Sequence, residues 1–339
     1  MTNTFHRIFA LGLLLTLGLT ACSGGGSGTS GGGGALPVAP PVATGTVTEY
    51  AVPTAASFPY GIAAGADGNL WITENAGNKI ARVTTGGVFT EFAIPTGSSS
   101  PEGIAPGPDG NLWFTESQAA RIGKITTSGV LTEYALPTAG VWPYSIAAGP
   151  DGNLWFSEFL GNSIGKITTA GVVTEYPVPT PNAQLRGVWP GADGNMWFAE
   201  YGTNKIGKIT PAGIVTEYMI PTVNANARGM AEGTDGNIWF TETGANKVGK
   251  ITTAGIITEY AVTTPGSVSE GMAIGSDGNM WFAETATVAD KIARVTMGGT
   301  ITEYSIPSGN AGPQNLVKGP DGNTWFTEIS ANKVAKMTP

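Results

Sequence analysis

Seven positions spaced almost evenly along the chain carry side chains that could recognise or transform a ligand: Tyr60, Glu102, Tyr144, Arg186, Arg228, Glu270 and Gln314. Each lies just ahead of a short apolar run in an otherwise repetitive unit. Guanidinium groups fork onto carboxylates and phosphates, and phenol rings stack on planar groups and sugars. A carboxyl can accept a hydrogen bond or move a proton. Phe58 and Trp142 stand two residues before the two tyrosines, and Trp189 interrupts a place that five other units fill with Ala. Together these residues form a candidate site for a polar or anionic organic molecule.

Imidazole chemistry has little room in this inventory. The only histidine is His6 and the only cysteine is Cys22. Both fall in an N-terminal segment that reads as an export signal. Arg7 precedes an apolar stretch too short to span a bilayer, which ends in "LTAC". That ending resembles a bacterial lipobox, so residues 1–21 are expected to be removed and Cys22 to be lipidated. The stretch over 22–45 is rich in Gly and Ser and then in Pro, and cannot bury enough apolar surface to fold. A tether of about 22 residues reaches roughly 25 Å. The expected location is the cell envelope, at the outer membrane or facing the periplasm if the cell is Gram-negative, and the membrane is one expected partner. A formal charge of −8 argues against nucleic acid as another.

The elements that must position these side chains follow from the repeat. "DGN" recurs at Asp67, Asp109, Asp151, Asp193, Asp235, Asp277 and Asp321, at steps of 42 residues and a last step of 44. Asp-Gly is a hairpin signal, because Gly accepts positive φ. In the third unit "YSIAAGP", "NLWFSE", "SIGKIT" and "VVTEYPVP" read as four strands. Seven such units over 46–339 predict an all-β, seven-bladed β-propeller with four strands per blade. "TVTEYAVP" at 46–53 is a fourth strand without its first three, and the chain stops after a third strand. The N-terminal strand is therefore expected to complete the C-terminal blade.

Comparison of the units separates framework from site. One Trp per unit is expected to pack blade on blade, and the "DGN" turns lack the alternating oxygen ligands of a calcium loop. Seven glutamates, Glu74 to Glu328, close the second strands and are expected to pair with Lys or Arg or to reach solvent. Loops between blades vary most, so function is expected on the face that carries them.

The unit "P-x-G-I-A-x-G-x-D-G-N-x-W-F-T-E…N-K-I-G-K-I-T-x-x-G-x-x-T-E-Y-x-x-P" resembles the repeat of the virginiamycin B lyase (streptogramin lyase) family from Thr46 to Pro339. The resemblance implies a seven-bladed fold and, for active members, a C–O lyase. Such an enzyme opens a streptogramin B-type cyclic depsipeptide by elimination, using Mg²⁺, glutamates and two histidines. Those histidine positions fall on Glu270 and Gln314, one glutamate position on Gly312, and another on Glu328. Three of these four depart from the pattern, and Gln314 cannot take a proton. If the chain were a lyase, Glu270 and Glu328 would carry the reaction and Mg²⁺ would be its cofactor; otherwise no cofactor or metal is expected. Propeller hydrolases resembling the gluconolactonase type gather several acidic ligands in the channel, whereas only Glu102 and Glu270 stand at this ring. The expectation is a lipid-anchored module that binds a small molecule or an envelope protein through Tyr60, Glu102, Trp142, Tyr144, Arg186, Arg228, Glu270 and Gln314.

Overall fold

The computed structural model describes residues 45–285 and 290–338, apart from the side chains of 268–270. The expected signal segment 1–21, Cys22 and the tether up to residue 44 lie outside the described residues. Within them, 28 strands (β1 to β28 in chain order) form seven four-stranded antiparallel sheets. In blade 1 these are β2 (Pro59–Ala64), β3 (Leu70–Glu74), β4 (Lys79–Val83) and β5 (Phe89–Ala93), paired in that order. The innermost strands of blades 2 to 7 are β6 (Pro101–Pro106), β10 (Pro143–Ala148), β14 (Leu185–Pro190), β18 (Ala227–Glu232), β22 (Val268–Ile274) and β26 (Pro313–Lys318).

Blade 7 is assembled from both ends of the chain, as the sequence predicts. β1 (Thr46–Ala51) pairs with β28 (Lys333–Thr338), which pairs with β27 (Thr324–Glu328), in a sheet that ends on β26. The register runs from Thr46 opposite Thr338 to Ala51 opposite Lys333.

The fixed "DGN" turns are fixed because Asp, Asn and Trp form one hydrogen-bonded unit. In blade 1 Gly68 has φ +73°. Asp67 Oδ1 accepts from the Asn69 backbone N–H at 3.3 Å and from Trp71 Nε1 at 3.1 Å. A buried indole N–H thus finds its acceptor inside its own turn. Trp71 is fully buried and stacks on Phe92 with ring centroids 5.7 Å apart. Its sheet face packs against Ile104, Leu112 and Phe114 of blade 2, so each Trp joins two blades, as expected.

A second set of bonds ties connection to blade. Glu91 accepts from the Thr54 backbone N–H at 2.9 Å and from Thr54 Oγ1 at 2.8 Å, and Lys79 Nζ reaches the same carboxylate at 2.6 Å. This arrangement overturns the pairing expected for the second-strand glutamates. Lys79 lies directly across the strands from Glu74, yet it bonds Glu91. Glu74, Glu116, Glu158, Glu200, Glu242, Glu284 and Glu328 are all buried, and most of their carboxyl oxygens have no hydrogen-bond partner. Burial, and then in most blades the charge of the nearby fourth-strand glutamate, pushes them from 4.5 up to about 7 or 8. The cation is drawn to the more exposed carboxylate, which also has the threonine donors.

Candidate functional site

The seven variable residues sit where the innermost strands leave regular pairing. In blade 1 the register between β2 and β3 shifts between Pro59 and Ile62, and the same shift occurs in every other blade. Tyr60, Glu102, Tyr144, Arg186, Arg228, Glu270 and Gln314 all fall inside such a bulge. A bulge re-aims a side chain, and this one recurs around the inner ring.

The backbone at the bulge is fixed by the blade before it. Thr73 Oγ1 donates to the Glu102 carbonyl at 2.7 Å, and Thr115 Oγ1 to the Tyr144 carbonyl at 3.0 Å. Ser157 Oγ donates to the Arg186 carbonyl at 2.5 Å, and Thr327 Oγ1 to the Tyr60 carbonyl at 2.7 Å. These hydroxyls come from the "W-F-T/S-E" strand, so a framework residue positions a site residue one blade away. Close approach requires the glycine that often follows the variable residue. A Cβ on Gly187 would lie 2.4 Å from the Arg228 carbonyl oxygen.

The site divides into two sectors. In blades 1 to 3, Tyr60 and Tyr144 meet hydroxyl to hydroxyl across blade 2, their rings 6.2 Å apart and nearly perpendicular. Glu102 lies on the strand between them and is only 3% exposed, whereas Tyr60, Tyr144, Arg186, Arg228 and Gln314 are half-buried. Trp142 Nε1 donates to Glu102 Oε1 at 3.2 Å, and the Ser117 hydroxyl also acts on this carboxyl. Burial pushes the Glu102 carboxyl up to about 7, against the pull of Trp142 and the Arg186 charge.

In blades 3 to 5, aromatic rings surround a pair of cations. The Arg186 guanidinium lies 4.5 Å from the Tyr144 ring centroid, 4.7 Å from Phe159 and 5.0 Å from Tyr201. Arg228 lies 5.2 Å from the same Tyr201 ring. Phe159 and Tyr201 were not among the residues predicted from sequence. The signal was present: the residue after "W-F-x-E" is Asn75, Ser117, Phe159, Tyr201, Thr243, Thr285 and Ile329 in turn, a second variable column.

Two aromatic residues of the first sector are held in strained backbone. Phe58 has φ +52° and Trp142 φ +54°. The equivalent place holds Asn226 and Gly312 in other blades, residue types that accept this conformation. A bulky residue there costs about 1–2 kcal/mol. Phe58 is 44% exposed, so packing does not recover that cost.

The channel itself is a narrow cavity of about 120 Å³. Tyr60, Tyr144, Arg228 and Gln314 line it, together with apolar residues such as Met230 and Trp189. Trp189 packs against the cores around blades 4, 5 and 6. Glu102 and Arg186 are not among the residues that line it. Glu270 lies on β22, and its side chain is outside the described residues.

A family model described as the virginiamycin B lyase family matches residues 41–231 and again 185–339. The chain belongs to the virginiamycin B lyase family. Among solved structures it is similar to selenomethionine-substituted virginiamycin B lyase from Staphylococcus aureus, at 36% identity and a TM-score of 0.83, over 87% of this chain and 100% of that one. A streptogramin B lyase structure matches at 36% identity and a TM-score of 0.82, over 87% and 97% of the two chains. A catalytically inactive virginiamycin B lyase from Staphylococcus aureus, solved with quinupristin, matches at 35% identity and a TM-score of 0.83, over 87% and 100%.

The family resemblance implies Mg²⁺, and the described side chains do not fit it. Among the described residues no three carboxylate, histidine or cysteine groups converge. Glu328 is enclosed within blade 7 near Glu49, Lys333 and Asp290, and it is not a channel-lining residue. Gln314 offers a neutral amide.

Proposed function

We propose that this family member is a binding module of the cell envelope, held to a membrane through lipidated Cys22, and that the mouth of its propeller captures an anionic organic molecule. One observation carries the reading: the channel-lining Arg228 and its neighbour Arg186 both lie beside the single Tyr201 ring. A guanidinium forks onto a carboxylate through charge-assisted hydrogen bonds, so this sector suits an anionic group. The rings that hold them reduce the side-chain ordering required on binding. The test is calorimetric titration of the full chain with cyclohexanecarboxylate. Binding that is lost in Arg228→Ala supports the reading; no binding, or binding indifferent to that change, sinks it.

The family membership favours a second reading, a C–O lyase acting on streptogramin B-type depsipeptides. Elimination needs a base beside the ester carbonyl. The sequence places Gln314 where the resemblance implies one histidine and Glu270 where it implies the other. Incubation with quinupristin and Mg²⁺, followed by chromatography and mass spectrometry, separates the two readings. A product of unchanged mass and shifted retention would establish a lyase. The expected result is intact quinupristin beside a working lyase control.

A further inference from the structure

The face opposite the variable ring carries an apolar feature that the ligand site does not use. In each blade one residue follows the glycine of the turn between the third and fourth strands. In blades 1 to 5 that residue is Val88, Val130, Val172, Ile214 and Ile256, each 61% to 66% exposed. Blades 6 and 7 hold Thr300 and Thr46 there. The turn itself does not call for an aliphatic side chain. The Val88 backbone N–H donates to Thr84 Oγ1 at 3.1 Å, and that of Thr300 donates to Thr296 Oγ1 at 3.1 Å. A single exposed aliphatic needs no explanation, but the same kind in five consecutive blades on one face does.

These side chains are displayed on fixed turns. The Thr85 carbonyl accepts from Lys336 Nζ at 3.1 Å, that of Thr127 from Arg82 Nη1 at 3.2 Å, and that of Pro211 from Lys166 Nζ at 3.2 Å. The third-strand cation of one blade thus grips the turn of the next. The turn glycine in turn packs on the fourth-strand ring of the blade before, as Gly171 does on Tyr134. In six blades the same cations pair with the turn aspartates, from Asp235–Lys250 at 3.2 Å to Asp109–Lys124 at 3.9 Å. Charge is therefore largely cancelled in place on this face, although the chain as a whole carries −8. An apolar arc over cancelled charge suits a surface without net charge.

The chain also enters the propeller at this face. Thr46, the first residue of β1, stands opposite Thr338, whose hydroxyl donates to Asn323 Oδ1 of the blade 7 "DGN" turn at 2.9 Å. From there β1 runs roughly 20 Å toward the other face. The variable residues lie at that far end: in blade 1 Pro59 pairs with Glu74 there, and Ala64 with Leu70 at the turn end. A tether reaching roughly 25 Å keeps the face at its own root nearest to any surface that holds Cys22. We infer that the turn face is a membrane-docking face: its aliphatic arc seats on a zwitterionic lipid surface, and the ligand mouth opens away from the membrane. The inference rests on the lipid anchor in the reading given above and is independent of the anion.

The full chain on phosphatidylcholine vesicles tests it, with a nitroxide on the lipid head group as quencher. A fluorescent thiol label is placed on Ala170→Cys, an exposed turn position at the centre of the arc, or on Val223→Cys in the connection between blades 4 and 5, where the side chain is 77% exposed. Mass spectrometry of the Cys22 peptide reports whether it is acylated. The label at 170 is expected to be quenched more strongly than the label at 223. That excess should be lost when Val88→Thr, Val130→Thr, Val172→Thr, Ile214→Thr and Ile256→Thr are combined, since blades 6 and 7 already fold with Thr at this place. Equal quenching, or stronger quenching at 223, overturns the docking face and leaves the anchor standing. An excess that survives the five changes assigns the orientation to the tether alone and overturns the role of the arc. Energy transfer between copies labelled at 170, without excess quenching, assigns the face to a second copy instead. An unacylated Cys22 overturns the anchor and the docking face together, whereas the anion site stands or falls by its own titration.

Discussion

Lys79 stands opposite Glu74 across paired strands, yet its ammonium bonds Glu91 at 2.6 Å and leaves Glu74 without a hydrogen bond. Lys205, Lys247, Lys291 and Lys333 make the same choice, and every blade, including blade 3 with Ser163 across from Glu158, holds a buried second-strand carboxyl. These carboxyls ionise far above their ordinary value of 4.5, at about 7 for Glu74 and about 8 for Glu116 and Glu242. The unfolded chain loses those protons near 4.5, the folded one only near 7 or 8. Between those values the unfolded state binds fewer protons, so stability falls as pH rises.

Below that window the opposite groups act. The turn aspartates, such as Asp67 and Asp235, and the fourth-strand glutamates, such as Glu91 and Glu259, are held below their ordinary values by their hydrogen bonds, against the opposing effect of burial. Their stabilisation is present above about pH 4 and lost as pH falls through their lowered values. A stability maximum near pH 4 to 5 follows. The thermal midpoint should be lower at pH 8 than at pH 5.5 by about 5 °C or more, and Glu242→Gln should flatten part of the slope. A midpoint that holds constant or rises between these pH values would refute the assignment of these groups.

Asp151 offers a test of the turn. Its Oδ1 accepts the Trp155 indole N–H at 2.9 Å and the Asn153 backbone N–H at 3.2 Å. Asp151→Ala strands a buried donor and should reduce the free energy of unfolding by about 1–3 kcal/mol in denaturant titration.

Phe58 should show the reverse sign. Phe58→Asn places a residue at φ +52° that tolerates it, and should stabilise the protein by about 1 kcal/mol. Thermal denaturation of the two proteins provides the check, and a loss of stability would show that the Phe58 ring repays its backbone cost by packing.

Two glycines give a matched pair. A Cβ on Gly187 would meet the Arg228 carbonyl oxygen at 2.4 Å, while nothing lies within 4 Å of one on Gly97. Gly187→Ala should therefore cost more than about 2 kcal/mol and disturb anion binding, because backbone must shift. Gly97→Ala should stay within about 0.5 kcal/mol of the parent. Melting curves of the two variants provide the comparison.

The framework was legible in the sequence because it is periodic. One copy of "DGN-x-W-F" is ambiguous, but seven at a near-constant step leave few folds, and unmatched strands at 46–53 and the C-terminus disclose the closure. The variable ring was also legible, as the column that changes while its neighbours do not. Three features were not. The meeting of Tyr60 with Tyr144 joins units 84 residues apart, and the Trp142 indole reaches the buried Glu102 from the neighbouring blade. Phe159 and Tyr201 belong to a loop whose direction only the assembled ring defines. The desertion of Glu74 by Lys79 depends on competition with Glu91 and Thr54, and a pairing rule based on opposite charges across strands assigns the wrong partner.

The closure of blade 7 also defines what would happen between copies. β1 is the one strand of that sheet drawn from the far end of the chain, and it holds its place through six residue pairs with β28. If one molecule lent its β1 to the next, every one of those pairs could re-form between different copies. The exchange is head to tail: a donor strand at one place on the ring and an acceptor edge at another. Such an exchange closes into a small ring of propellers or extends into a linear array, depending only on the angle between successive copies. The clasp that seals the propeller is therefore also a ready-made coupling between copies.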